Sequence, residues 1–310
     1  MPRFEVLRST EIEALPEPVY ETLVDFRTWP KWSPWLCAEP EASVIVSENP
    51  RAVGSSYRWS GSIVGAGAIQ HKLLEPGRRI LDELCILKPW KSKSEVGFQL
   101  EPAGKGTRVT WFMKGSLPWF LFWMIPQLEP LIGMDYERGL RMLKEWVETG
   151  RVDSQTQLQG IEPIGPLRMA GVKRQCAFRE LPDSMSAAFE EVQQYYRQHG
   201  LATDTEAISV YHLCDFKSNL CEYTAGFLLP EEPGRLPREL LTWSIPSLRA
   251  IRVTHVGRYA HLGNAWSTGH QLVRYQHHKL AKVDSFEIYR NRPGQTPARN
   301  LVTDVYIPIR

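Results

Sequence analysis

A chain of 310 residues that sets 37 Lys and Arg against 35 Asp and Glu carries a formal net charge of only +2. With no long basic run, that balance argues against a nucleic-acid face, and no polyanionic partner is expected. The length suits two domains of about 150 residues each, and a hydrophobic share of 43% gives both of them material for a core.

Met1 to Thr10 lacks a charged-then-apolar leader pattern. The longest apolar run, Leu117 to Ile125, falls far short of the roughly 20 residues a membrane span needs. It reads as a core or cavity-lid segment, and no integral span is expected. Cys37, Cys85, Cys176, Cys214 and Cys221 show no CxxC spacing. They read as reduced, mostly buried thiols of a cytoplasmic protein. Cys214 and Cys221 lie close on a hairpin, where a staggered pair is more often packing than a disulfide. No cofactor is expected.

Phe4 to Ile12 alternates as a strand. Pro16 to Phe26 reads as a helix with prolines in its first turn and Val19, Leu23 and Phe26 on one face. After the aromatic segment Trp29 to Trp35, strands are expected at Ser43–Ser47, Ser55–Ser60, Ala68–Leu74, Ile80–Leu87, Glu95–Leu100 and Thr107–Lys114. Turns at Glu75–Arg78 and Pro102–Gly106 punctuate them. Leu131 to Val147 closes the half as a helix, with Gly150 placed to stop it. That order packs as an antiparallel sheet curved around a helix. Nine of the eleven tryptophans fall in this half. Trp59 and Trp111, with Met113, are candidates to line a cavity, with core as the competing fate. Asp25, Asp82, Glu83 and His71 look scattered, each by default a solvated or singly paired surface group.

The run Val19-Tyr20-Glu21-Thr22-Leu23-Val24-Asp25-Phe26, then Trp29 and Trp32-Ser33-Pro34-Trp35, resembles the opening of the SRPBCC (START-like, polyketide-cyclase-like) superfamily. Gly54, Tyr57-Arg58-Trp59, Gly139-Leu140 and Leu143-Lys144 match in order and spacing. The resemblance covers residues 1 to 150 and implies a helix-grip fold with an apolar cavity. Lipid carriers, cyclases, hydrolases and chaperone-associated modules share that scaffold, so it implies no single activity.

Residues 151–166, polar and ending in Pro163-Ile164-Gly165-Pro166, read as an extended linker. Beyond it, over 167–310, a strand-helix-strand-strand (βαββ) unit occurs twice. The first copy is Val172–Phe178, Asp183–His199, Ala207–Phe216 and Leu220–Leu228; the second is Ala250–Gly257, Asn264–Leu280, Ser285–Tyr289 and Leu301–Ile309. Asp183 is expected at the helix N-cap. The copies should pair across a pseudo-twofold axis, with a ligand groove at their junction. The fold class is therefore α+β, a helix-grip domain followed by a duplicated βαββ module.

His255-Val256-Gly257-Arg258-Tyr259, Trp266, Phe286-Glu287-Ile288-Tyr289 and Thr303-Asp304-Val305-Tyr306-Ile307-Pro308 resemble the GyrI-like effector-binding domain, which also occurs at the C-terminus of AraC-type and MerR-type regulators. The resemblance implies binding of drug-like, often cationic molecules between the two modules, with the central acid at Glu287. It also implies a hydrolase option, in which that acid and an aromatic hydroxyl open strained, electrophilic rings. Nothing upstream resembles a helix-turn-helix, so direct transcriptional control is not carried over.

Strand alternation puts Phe286 and Ile288 on one face, toward a helix-covered core, and Glu287 and Tyr289 on the other. Tyr211 is expected to share a face with Leu213, as are Tyr223, Ala225 and Phe227 with one another. A carboxylate inside a short apolar strand needs a partner or a purpose. The bland alternative is a salt bridge to Arg252 or Arg290. As a binding device, Glu287 would attract a lipophilic cation, with Tyr289, Tyr211, Tyr223, Phe227 and Trp266 as walls. As a general acid/base, it would activate water, with Tyr259 or Tyr289 donating to an oxyanion. A purely structural protein with empty cavities is the third reading. The histidines lack zinc spacing, so no metal site is expected.

Overall fold

The computed structural model describes residues 2–201, 205–230 and 236–310. Among them are four α-helices and two antiparallel sheets, divided between two compact units, Met1–Asp153 and Ser154–Arg310.

In the first unit, strands β1 (Arg3–Ile12), β2 (Ser43–Val46), β3 (Ser56–Ser60), β4 (Ala66–Glu75), β5 (Arg79–Lys88), β6 (Ser92–Ala103) and β7 (Gly106–Ser116) form one sheet in the order β1-β7-β6-β5-β4-β3-β2. Helix α1 (Pro16–Val24) starts on its two prolines, whose fixed φ suits a first turn. Helix α2 (Ile125–Thr149) is longer than the expected 131–147, because Pro126 and Pro130 near its start do not end it. Gly150, at φ +75°, stops it in the left-handed conformation that glycine adopts without steric cost.

The space enclosed by this sheet and its helices is filled with rings. Trp111 stacks on Tyr136 at 4.1 Å and meets Trp32, Trp35 and Phe98. Trp111 is thus core rather than cavity wall. Trp59 is half-buried, and its indole N–H donates to the Val64 carbonyl. The run Leu117–Ile125 differs more. Trp119–Met124 is a 3-10 helix with Trp119, Phe120, Phe122 and Trp123 exposed, because an unbroken apolar run has no polar side to turn outward.

In the second unit, β8 (Ser154–Ile164), β9 (Leu167–Cys176), β10 (Ala207–Asp215), β11 (Leu220–Leu228), β12 (Leu241–Ile245), β13 (Leu248–Gly257), β14 (Ser285–Tyr289) and β15 (Val302–Ile309) form a sheet ordered β12-β9-β11-β10-β14-β15-β13-β8. The stretch read as a linker is therefore mostly strand: β8 pairs along its whole length with β13. Its polar composition reflects an edge strand rather than a free connector. Helix α3 (Leu181–Gln198) begins before Asp183, which sits in its first turn instead of at the cap. Helix α4 (Gly263–Tyr275) ends five residues early, where His277 takes φ +56° and Leu280 bridges to Ile309.

Both ends of this sheet meet at one corner. Ile164 pairs with Leu248 and Leu167 with Ile245, yet only two residues separate Ile164 from Leu167, and two separate Ile245 from Leu248. Three Cα steps span at most about 11 Å, so the sheet must curl until its edges come together there. The inner face buries Met169, Ile208, Val210, Ile245, Phe286, Ile288 and Tyr306 against one another.

Candidate functional site

β14 runs between β10 and β15, with Glu287 opposite Ser209 on one side and Val305 on the other. Its side chains alternate as a strand requires, but the helices cover the face opposite to the one expected. Phe286 and Ile288 lie on the inner face of the curl, in a cluster built from strand residues and Val283 with no helix residue in it. Glu287 and Tyr289 lie on the helix side, where Phe189 of α3 meets the Tyr289 ring at 5.5 Å and Trp266 of α4 reaches Glu287. The curl satisfies the apolar face without helices.

Glu287 is 1% exposed. Its Oε2 accepts hydrogen bonds from the Tyr289 hydroxyl at 2.5 Å and the Tyr211 hydroxyl at 3.0 Å, and its Oε1 accepts one from the Trp266 indole N–H. Burial pushes the Glu287 carboxyl up, and the bonds from Tyr289, Trp266 and Tyr211 pull the other way without cancelling it. The expected bland partners are engaged elsewhere: Arg290 Nε at 2.6 Å and Arg252 at 3.0 Å both pair with Asp304. Among the described residues, no cationic side chain pairs with Glu287.

Beside this carboxylate opens a cavity of about 230 Å³, lined by Tyr211, Cys214, Trp266, His270 and Asp284 among others. Trp266 and His270, one turn apart on α4, lie nearly parallel with centroids 6.1 Å apart, and burial lowers the His270 pKa. The remaining expected residues are placed less directly. Tyr259 is partly exposed, its ring 5.7 Å from that of Tyr289, and burial pushes its hydroxyl up to about 12. Tyr223 is fully buried; its hydroxyl pairs with Ser184 of α3 and its ring lies 6.3 Å from Tyr211. Phe227 packs with Phe189 and Tyr196, away from the cavity lining.

Tyr211 and Leu213 do not share a face. A bulge at His212 shifts the register, so Tyr211 faces Tyr223, Leu213 faces Glu222 and Cys214 faces Cys221. Leu213 is therefore 46% exposed, and Cys214 joins Tyr211 on the helix side. The bulged His212 bonds Asp284 and Thr224, both at 2.7 Å.

Residues 160–310 match the model of the GyrI-like small molecule binding domain. They form a GyrI-like domain. No curated protein matches the chain significantly. Among solved structures, similarity extends to an Aha1 dimer from Colwellia psychrerythraea, at 20% identity over 47% of this chain and 98% of that one, TM-score 0.36. A protein from Thermus thermophilus matches at 20% identity over 46% and 97%, TM-score 0.35. The EcmrR–DNA complex matches at 17% identity over 59% and 67%, TM-score 0.42. These scores assign no function to the chain.

Outside the GyrI-like domain, two of the acids taken for surface groups are buried, as is the histidine. His71 Nδ1 lies 2.6 Å from Asp82 Oδ1, and His71 Nε2 lies 3.0 Å from the Val24 carbonyl. A carbonyl only accepts, so Nε2 carries a hydrogen, and the proton between Nδ1 and Oδ1 is shared by the pair. Burial pushes Asp82 up against that bond. Asp25 is held down to about 2 by hydrogen bonds from Arg27, with Arg51 adding to them against burial. His71 keeps strand parity with buried Ile69, and Asp82 with buried Ile80, so the two meet across the β4–β5 ladder on the core face. A wide cleft of about 760 Å³ in this unit lies over Lys72, Glu83, Lys93 and Lys114. Those charges are already paired, with Lys93 and Glu83 at 2.6 Å and Lys114 and Glu5 at 3.3 Å.

All five cysteines are free, but only Cys221 is fully buried and Cys214 is exposed, contrary to the expectation of mostly buried thiols. Among the described residues, no three His, Cys, Asp or Glu side chains gather to hold a metal ion, and no helix is long and apolar enough to cross a membrane.

Proposed function

We propose that this is a small-molecule-binding protein whose GyrI-like domain takes a lipophilic cation against Glu287, for sensing or sequestration. One observation carries the reading: a buried carboxylate held by Tyr211, Tyr289 and Trp266, with its neighbouring arginines committed to Asp304. Neutral donors solvate the anion but leave its charge uncompensated. A ligand cation would supply the counter-charge, and each ring face it meets would add roughly 0.5–2 kcal/mol. Because Glu287 is covered, Trp266 or Tyr211 must swing aside to admit the ligand. The strand order supports two βαββ copies: β9-β11-β10 and β14-β15-β13 run in mirrored order about the β10–β14 pair. The seven-stranded sheet and long α2 support a helix-grip reading of residues 1–150. Free thiols and the near-neutral net charge fit a cytoplasmic protein that does not bind nucleic acid.

A second reading has its own support. Two phenol hydroxyls converge on one oxygen of a carboxyl pushed up by burial, which is an arrangement for general acid/base hydrolysis of an electrophilic ring. Calorimetry with tetraphenylphosphonium and with neutral triphenylphosphine oxide separates the two. Binding predicts that the cation is favoured and that Glu287→Gln loses at least about tenfold in affinity, or 1.4 kcal/mol. Unchanged affinity in Glu287→Gln overturns the binding reading. Hydrolysis of an epoxide by the wild type but not by the variant would establish the second.

A further inference from the structure

The bulge that turns Cys214 toward the pocket also sets it against a second thiol. Cys214 faces Cys221 across the β10–β11 ladder, and Cys221 faces Cys176 across β11–β9, so three thiols lie in a row on neighbouring strands. The first pair sits at the base of a tight hairpin. Asp215 Oδ1 accepts from the amides of Lys217 and Ser218, Asp215 Oδ2 accepts from the Ser218 hydroxyl, and Asn219 takes φ +54°. Asn219 in turn accepts a bond from the Phe178 amide. This anchored turn fixes the register of the pair. Directly opposed residues on antiparallel strands have Cα atoms about 4.5–5.5 Å apart, inside the roughly 4.4–6.8 Å range that a disulfide bridges.

The two thiols are unequal. Cys214 is exposed and lines the cavity with Tyr211 and Trp266, whereas Cys221 is fully buried behind it. The neighbouring Cys221 thiol lowers the Cys214 thiol against burial and the Glu287 charge, and the same proximity raises the Cys221 thiol. One sulfur is thus accessible and more readily ionised; the other is shielded and within reach.

We propose that Cys214 and Cys221 are a redox-active dithiol in the wall of the Glu287 pocket, oxidised by a peroxide to a cross-strand disulfide. The Cys214 thiolate attacks the peroxide O–O bond, which breaks to leave Cys214 as a sulfenic acid and release an alcohol or water. Cys221 then attacks that sulfur. The S–S bond forms, the S–O bond breaks, and hydroxide leaves with the Cys221 proton as water. Two thiols lose two electrons in total and the peroxide gains them. A cross-strand disulfide of this kind, partly open to solvent, belongs to the readily reduced class, so the step is reversible by thiols.

The test uses the full chain, hydrogen peroxide and peptide mapping without reduction. Trypsin cuts after Arg197, Lys217 and Arg235, so Cys214 and Cys221 leave on separate peptides, 198–217 and 218–235. Oxidation should join these two with the loss of two hydrogens, and dithiothreitol should separate them. Cys176→Ser should leave the link intact and Cys214→Ser should abolish it. Cys221→Ser should let dimedone trap a sulfenic acid on Cys214 at least about tenfold above Cys37 or Cys85. A link between Cys176 and Cys221 instead, no link in a chain still folded by circular dichroism, or even dimedone labelling of all cysteines would each overturn the proposal. None of these outcomes depends on whether a cation binds at Glu287.

Discussion

Two carboxylates on neighbouring strands of the GyrI-like domain are equally buried and oppositely equipped. Asp304 on β15 is 0% exposed and Glu287 on β14 is 1% exposed. Asp304 pairs in register with Ile288, so it belongs to the inner face of the curl, and Glu287 belongs to the helix face. Asp304 accepts from the Thr254 hydroxyl at 2.5 Å and is gripped by Arg290 and Arg252. Burial would raise its carboxyl, but Thr254 and the arginines outweigh that and hold it low. Glu287 receives three hydrogen bonds and, among the described residues, no cation, and its carboxyl stays raised. Burial alone therefore does not mark a functional acid. What separates the two acids is the counter-charge, which two arginines supply to Asp304.

The largest test of this contrast is Asp304→Asn, which strands two partly buried arginines and should cost about 3–5 kcal/mol in urea unfolding. Because the native Asp304 pKa is depressed, its contribution is present above the unfolded value near 4 and fades as the pH falls through the lower native one. The gap between variant and wild type should close on acidification; a gap independent of pH would break the assignment. His71→Leu should cost about 3 kcal/mol by leaving Asp82 without its partner, again by urea titration. Trp266→Phe keeps the ring and removes one donor to Glu287, so cation affinity should fall by about 1 kcal/mol in calorimetry.

The smallest effect sharpens the contrast most. Glu287→Gln should change stability by less than about 1 kcal/mol. The raised native pKa means the folded state favours protonated Glu287, so the penalty for its charge appears as pH rises through that pKa. The variant should gain on wild type toward alkaline pH. A loss as large as that of Asp304→Asn would make Glu287 a structural anion.

Alternation and turn residues made most strands legible. β14 occupies the expected Ser285–Tyr289, and Glu287 and Tyr289 share a face because nothing interrupts five residues of period two. Three features escaped for physical reasons. The bulge at His212 inverts parity within β10, which concealed Cys214 and misplaced Leu213. The buried His71–Asp82 pair went unseen because each polar residue looks solvent-facing in its own strand until the pairing of β4 with β5 supplies its partner. The closing of the sheet on itself depends on pairings between distant segments, so no local pattern could show that Phe286 and Ile288 would be covered by strands.

The pairing of β8 with β13 also fixes where the GyrI-like domain can be cut. Ser154 to Ile164 caps the backbone of Leu248 to Gly257, a strand whose other side is already taken by β15. A fragment beginning at Leu167 would bare that ladder along ten residues, leaving amides and carbonyls free to recruit a neighbouring chain. A fragment beginning at Ser154 would carry its own shield. Gel filtration of the two fragments should give a self-associating species for the shorter and a single discrete species for the longer, placing the working boundary of the domain inside what composition presents as a tether.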